Sequence, residues 1–320
     1  MIYQRINGLN KPLARVIQGT VMLSLDKLEE GFQLLDSVFE LGGTTFDTAH
    51  NYSGGDSDRV LGLWMEARGN RDEVVIIGKG CHHNQDRRRV TPYDLTSDLM
   101  DSLSRLRSES IDLYLLHRDD PSLPVDPIID AFAHHHEAGH ISAYGGSNWS
   151  VRRIQEANEY ANSHDLPPMI ASSPNFSLAV QSQEPWPDCI SISHTNYTED
   201  RDWYHLNKMP VLPWSSLAGG FFSGHIRRDN LDHILLNEKD YWLKLSAETY
   251  GTEQNFQRYD AAQRIATERE ITVPQVALAY IFNSGLNVFP IVGARFPDEF
   301  AENARAAELT LTEEEMTALA

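Results

Sequence analysis

Four side chains able to share a proton transfer stand at or just beyond the ends of short apolar runs. Lys79 lies in VVIIGKG directly after its apolar run, Asp47 lies in TTFDTAHNY, Tyr52 follows five residues after it, and His117 ends the apolar stretch of DLYLLHRDDP. A lysine directly after an apolar strand is stripped of water and needs an anion, for which Asp47 is the natural partner. Unpaired, either charge would cost several kcal/mol or neutralise itself. A free phenol titrates near about pH 10 and is a poor acid at neutrality. A neighbouring ammonium stabilises phenolate, lowers that pKa and eases proton donation to a developing alkoxide. His117 could orient a carbonyl or share the proton. Each residue also has a bland reading: a buried ion pair, a packed loop tyrosine, a core histidine satisfied by backbone.

The elements that must position these residues alternate along the chain. Candidate strands are Val16–Gly19, Thr45–Asp47, Val74–Gly78, Ile111–Leu116, Ile141–Gly146, Met169–Ser172, Val211–Trp214 and Val288–Val292. Helical patterns lie between them at Lys27–Leu41, Ser57–Arg68, Pro92–Leu106, Pro127–Glu137, Val151–His164 and Phe256–Arg269, with a further one at Pro274–Asn283. Such alternation predicts parallel strands joined by helical crossovers, and eight strands suit a closed (β/α)₈ TIM barrel. Met1–Leu13, centred on Asn7-Gly8, predicts a β-hairpin cap. Leu217 to about Asn255 predicts loop and short helical insertions on the C-terminal side. A doubly wound sheet would carry a G-x-G-x-x-G turn after its first strand, and none is present. No linker or composition shift divides the chain, so residues 1–320 are expected to form a single domain. In a barrel the polar ends of all eight strands converge on one mouth, where such folds place active sites.

The 320 residues are 41% hydrophobic and 23% charged, enough apolar material for a large core. A formal charge of −19 argues against nucleic acid or an anionic membrane surface as partner. Cys81 and Cys189 are the only cysteines, and no Cys/His spacing resembles a zinc site. MIYQRINGLN lacks the apolar core and small-residue cleavage site of a signal peptide, and no run suits a membrane helix. The expectation is a soluble, reduced, cytoplasmic protein whose partner is a small molecule, with its oligomeric state left open.

Six segments, FDTAHNYSGGDSDRVLG, IIGKG, IDLYLLHRDDP, GHISAYGGSNWS, PWSSLAGG and IVGARFPDEFAENARAAEL, resemble successive signatures of the aldo-keto reductase family. They occur in that family's order over about residues 5 to 310. The resemblance implies a (β/α)₈ barrel and a catalytic tetrad at Asp47, Tyr52, Lys79 and His117. It further implies hydride transfer between a nicotinamide and an aldehyde or ketone, or the corresponding alcohol. Tyr52 would be the general acid, Lys79 would depress its pKa, Asp47 would hold the lysine and His117 would orient the carbonyl. In this family the cofactor lies extended across the barrel mouth, so no Rossmann fingerprint is expected.

The same resemblance distributes the cofactor residues. Gly19 and Thr20 end the first strand, Ser147 and Asn148 match the pair that holds the carboxamide, and Trp214 takes the place of the stacking aromatic. Ser215, Leu217 and Gly219 fall in the loop along the pyrophosphate. Gly293, Ala294 and Arg295 open the adenosine-phosphate end, and Glu302-Asn303 match the pair that reads adenine. Two positions depart from the pattern. Ser173 stands where many members have glutamine, with Asn175 a possible substitute. Glu299 stands where arginine or glutamine commonly helps hold the 2′-phosphate, which leaves Arg295 as the principal cation. NADP(H) is preferred, with NAD(H) possible. Substrate-pocket candidates are Thr20, His82, His83, Trp149, Phe221 and Phe222.

Other signals carry less. His134-His135-His136 point in different directions on a helix and cannot jointly chelate one ion, so no metal is expected. Arg87-Arg88-Arg89 reads as a solvated loop run. Tyr204 and Lys208 have the spacing of short-chain dehydrogenases, but no glycine-rich turn accompanies them. Cys81 reads as an inert thiol, and Glu313-Glu314-Glu315 as the first turn of a terminal helix capped by Thr312. Two rival functions share these residues: a cofactor-binding regulatory or redox-sensing subunit with negligible turnover, and a barrel lyase or epimerase with Lys79 as base.

Overall fold

The alternation of apolar runs and amphipathic stretches becomes a β/α succession in a computed structural model that describes residues 1–320. The chain divides into two compact units, residues 1–173 with 293–297, and residues 174–292 with 298–320.

The first unit opens with β1 (Tyr3–Gln4) and β2 (Leu13–Ala14), paired antiparallel as the expected hairpin. Six strands follow: β3 (Ile17–Gly19), β4 (Thr45–Asp47), β5 (Val75–Gly80), β6 (Ile111–Leu116), β7 (Ile141–Ser147) and β8 (Ala171–Ser173). Each pairs in parallel with the next, in sequence order. The crossovers are α1 (Leu28–Glu40), α2 (Asp56–Arg68), α3 (Pro92–Leu106), α4 (Asp126–Glu137) and α5 (Val151–Ser163). Start and stop chemistry sets their bounds. Thr91 caps α3 by accepting from the Asp94 N–H with Pro92 in the first turn, and Arg107 ends the helix at φ +51°. Strands buried on both faces read as continuous apolar runs, which is why β5 and β6 are entirely buried.

The second unit contains α6 (Thr198–Asn207), α7 (Leu231–Asn237), α8 (Tyr241–Tyr250), α9 (Glu253–Arg269), α10 (Val273–Phe282), β9 (Ile291–Val292), α11 (Pro297–Arg305) and α12 (Glu313–Leu319). The last two strands expected from sequence are irregular. Between Val211–Trp214 and Asn287–Ile291, Val211 N–H donates to Asn287 O at 2.9 Å and Val211 O accepts from Phe289 N–H at 2.8 Å, a parallel bridge, and Ile291 N–H reaches Pro213 O at 2.9 Å. Pro210, Pro213 and Pro290 contribute no N–H, which breaks the ladder into bridges. Six regular strands and two proline-interrupted ones, each with its helical partner, make a (β/α)₈ fold. The expected Leu217–Asn255 insertion is helical, and the N-cap at Thr312 forms a full capping box with Glu315. No helix is long and apolar enough to cross a membrane.

Candidate active site

Asp47 ends β4 and Lys79 lies in β5, on adjacent parallel strands, each 2% exposed. The Lys79 ammonium donates to the Asp47 carboxylate in a short ion pair. It also reaches Thr48 O at 3.4 Å and Tyr52 Oη at 3.2 Å, and lies 4.9 Å from the centre of the Tyr52 ring. Burial by itself would lower the Lys79 pKa. The Asp47 carboxylate and Tyr52 outweigh it, so the ammonium is held above its ordinary value and keeps its charge.

Tyr52 begins a single 3₁₀ turn, with Ser53, Gly54 and Gly55 at φ +49°, +64° and +92°. This left-handed run returns the chain into α2 and leaves the phenol partly buried beside Lys79. The expected depression of the phenol pKa is not the net result. Burial raises it, Asp47 adds to the rise, and the opposing pull of Lys79 and Arg118 does not cancel them. The phenol therefore stays protonated.

His117 follows β6, its N–H bonded to Gly80 O at 2.8 Å. Its ring meets Tyr52 edge-on at 5.6 Å and His82 at 4.7 Å. Burial, with the Lys79 charge next, holds this imidazole well below its ordinary pKa, so it is neutral. Its Nδ1 is buried without a hydrogen-bond partner.

Of the residues proposed around the tetrad, Thr20 is committed to the scaffold. Its N–H and hydroxyl both bond to Asp47 O, at 3.0 and 2.9 Å, and its hydroxyl lies 2.6 Å from Ser57 Oγ. Gly19 is the β3 partner of Asp47 in register. At the end of β7, Ser147 Oγ donates to Ser173 O at 2.9 Å. Asn148, at φ +57°, donates from Nδ2 to Ser147 Oγ (3.2 Å) and His117 O (3.4 Å). His82 Nδ1 contacts His83 O at 2.8 Å, so its Nε2 is left to accept. Trp149 is fully buried, with its Nε1–H on Arg118 O at 3.2 Å. Ala294 is buried and its carbonyl accepts from Gln18 at 3.0 Å, while Gly293 and Arg295 are exposed.

In the second unit Trp214 is partly exposed, 6.0 Å from Trp186. Ser215, Ala218, Gly219 and Gly220 all have positive φ (+50°, +53°, +59° and +90°), while Leu217 between them is at φ −100°, and such alternation with left-handed backbone makes anion-binding concavities. Gly219 does a second job, because a Cβ there would collide with Ser246. Phe221 and Phe222 do not line an opening. They are fully buried against one another and against Tyr259, with Phe256 also packed on Phe221, in this unit's core. Asn175 is not free to replace a glutamine, since its amide donates to Trp214 O (2.9 Å) and accepts from Ser191 Oγ (2.7 Å). Glu299 is exposed on α11, Glu302 is partly buried with its carbonyl taken by Gln275 at 3.2 Å, and Asn303 is buried.

Three features escape the sequence reading. Asp58 is a buried carboxylate that accepts from Thr48 Oγ1 (2.5 Å) and Ser102 Oγ (2.8 Å), beneath the Asp47 strand end. Its burial raises its pKa. The three arginines after His83 are not simply solvated. Arg87 takes both Asp94 oxygens at 2.8 and 2.7 Å, Arg89 takes both Asp98 oxygens at 3.0 and 2.6 Å, and Arg88 lies 3.6 Å from Asp120. The third is Arg118, which is buried.

The fold and site thus define a (β/α)₈ protein with a buried lysine–carboxylate pair that holds a protonated phenol beside a neutral imidazole. The chain belongs to the aldo/keto reductase family, oxidoreductases whose family model matches residues 15–320. A probable aryl-alcohol dehydrogenase of Saccharomyces cerevisiae is 26% identical over 92% of this chain and 88% of its own length. An aryl-alcohol dehydrogenase [NADP(+)] of Phanerodontia chrysosporium is 26% identical over 92% of this chain and 76% of its own. Norsolorinic acid reductase stcV of Emericella nidulans is 24% identical over 90% and 70%. A thermostable aldo-keto reductase crystallised with the inhibitor epalrestat shares the fold at a TM-score of 0.72 and 22% identity, covering 100% of this chain and 98% of that one.

Proposed function

We propose that the protein is an NADP(H)-dependent reductase of aldehydes or ketones, reversible toward the alcohols, with residues 1–320 acting as one catalytic domain. The observation that carries this reading is the 3.2 Å contact between the Lys79 ammonium and the Tyr52 hydroxyl, with Asp47 behind the lysine. A reduced nicotinamide, when bound, supplies a hydride to the carbonyl carbon. Tyr52 donates its proton to the oxygen as negative charge develops there, and Lys79 stabilises the phenolate that results. His117, neutral, donates a hydrogen bond that fixes the carbonyl oxygen near the phenol. Asp47 keeps the lysine charged and in place.

The residues present suit a nicotinamide dinucleotide. Ser147, Asn148 and Ser173 would hold the carboxamide, Trp214 would stack on the ring, and the left-handed loop from Ser215 through Leu217 and Gly219 would take the pyrophosphate. Gly293, Ala294 and Arg295 would hold the adenosine phosphate, and Glu302 and Asn303 the adenine. Arg295 favours a 2′-phosphate, and Glu299 on the neighbouring helix works against it. The aryl-alcohol dehydrogenases among the relatives support aromatic aldehydes as a first panel. The test is the initial rate of nicotinamide oxidation with NADPH and NADH over aliphatic and aromatic aldehydes. Turnover with NADPH in clear preference to NADH is expected. No turnover with either cofactor, together with tight NADPH binding, would favour the regulatory-subunit reading.

A further inference from the structure

Arg118 is the only arginine among the buried residues, 4% exposed, and directly follows His117. Its single hydrogen bond runs from Nη1 back to His117 O at 3.0 Å, the carbonyl that also accepts from Asn148. The guanidinium is thereby folded back on the backbone at the end of β6. The Arg118 carbonyl is pinned by Trp149, which packs against Gly146, where a Cβ would come within 2.6 Å of the indole.

The carboxylates nearby are otherwise engaged. Asp119 is bridged by Arg153 at 2.9 and 3.2 Å, Asp120 by Ser122 at 2.6 Å with Arg88 at 3.6 Å, and Asp47 by Lys79. None lies within ion-pair distance of Arg118. A guanidinium does not shed its charge in a protein, and an uncompensated buried charge is strongly destabilising. The chain nonetheless keeps one on the residue next to His117, hydrogen-bonded to the His117 carbonyl. Its field falls on Tyr52, His82 and His117, pulling each of their pKa values down.

We propose that Arg118 is the anion-recognition residue of the substrate site, which takes the carboxylate of a carbonyl substrate that bears one. This rests on the carbonyl-reductase reading above and names the substrate class within it. A planar guanidinium fork accepts a carboxylate through two parallel N–H···O bonds, and Arg118 has four N–H groups outside its single hydrogen bond to do so. A bound carboxylate supplies the charge that the fold withholds. The neighbours of Arg118 are the groups that handle the reacting oxygen, which places the anion on the substrate.

The test compares 2-, 3- and 4-carboxybenzaldehyde with the matching methylbenzaldehydes, in the wild type, Arg118→Met and Arg118→Lys. The expected result is a preference of about ten- to a hundredfold in kcat/KM for at least one carboxylated isomer over its methyl counterpart. Arg118→Met brings that ratio near one, chiefly through KM, and Arg118→Lys keeps part of it. A ratio untouched by Arg118→Met overturns the proposal, as does equal loss on both members of a pair. So does a selective weakening of NADPH binding, which would assign the guanidinium to the cofactor. Calorimetry with benzoate in the presence of NADP⁺ reads the same site without turnover. Binding to the wild type and not to Arg118→Met supports the anion site even if no aldehyde is reduced, in which case only the reductase reading falls. Equal binding to both, or to neither, overturns it.

Discussion

Tyr52 can act as an acid only while it holds its proton, and its surroundings keep it protonated: burial raises the phenol, while Lys79 at 3.2 Å stands ready to stabilise the anion left after transfer. Tyr52→Phe removes the proton and little else, since the ring contacts with Lys79 and His117 remain available. Turnover is expected to fall by about two to four powers of ten with the NADPH dissociation constant nearly unchanged, measured by steady-state rates and tryptophan fluorescence titration. Near-wild-type turnover would discard the proton-donor role. The four residues of this cluster are legible in the sequence because Asp47, Lys79 and His117 sit at the ends of apolar runs and Tyr52 lies within a short loop of one of them. Arg118 is not, because it opens a charged Arg-Asp-Asp run that looks solvated; all three side chains are buried, and only the want of a counter-ion separates Arg118 from Asp119 and Asp120, which have arginines of their own. Phe221 and Phe222 mislead in the opposite sense. Glycine-flanked aromatics suggest a pocket wall, and only three-dimensional packing against Phe256 and Tyr259 reveals a core.

At the scale of elements, the segment after β5 shows how a loop is held rigid over a site. Arg87 and Arg89 clamp it to the buried carboxylates Asp94 and Asp98 of α3, and Cys81 N–H reaches Asp98 at 2.8 Å from a left-handed backbone at φ +62°. The same anchoring sets His82 against His117. Burial, followed by Asp98 and Asp94, pushes the Cys81 thiol far up, so it is unreactive. Arg89→Ala leaves Asp98 buried with its cation gone, a loss of roughly 3 kcal/mol. Faster amide hydrogen exchange is expected across residues 81–91, with KM raised more than kcat is lowered. Exchange unchanged in that segment would show that the clamp is not what orders it. Sequence periodicity locates α3 and most of the strands because their apolar positions recur at the right spacing. It overstates the regularity of Val211–Trp214 and Val288–Val292, where proline removes the N–H groups that a ladder needs. It cannot foresee the Arg–Asp clamp, which joins a loop to the helix that follows it.

Across the whole molecule, the balance of charge makes stability depend on pH in a direction that can be worked out. His82, His117 and His135 are all held below their ordinary pKa, by burial first and then by neighbouring positive charge. For such a group the unfolded chain takes up a proton that the folded chain refuses. Its contribution to stability is complete above about pH 6.5 and is lost as pH falls from there toward the folded value. The slope approaches about 1.4 kcal/mol per pH unit for each histidine that stays neutral in the fold. The net charge of −19 works the other way, because acidification relieves self-repulsion, so the raw pH profile mixes both effects. A difference measurement separates them. Urea unfolding of the wild type and His117→Asn at pH 7.5 and 5.5 keeps every other charge common to both. The wild type is expected to lose about 1 kcal/mol more than the variant between those two pH values. Equal losses would mean that His117 accepts a proton in the folded protein near its ordinary pKa, and the neutral imidazole assigned to carbonyl orientation would then be an imidazolium at the acidic end of that range.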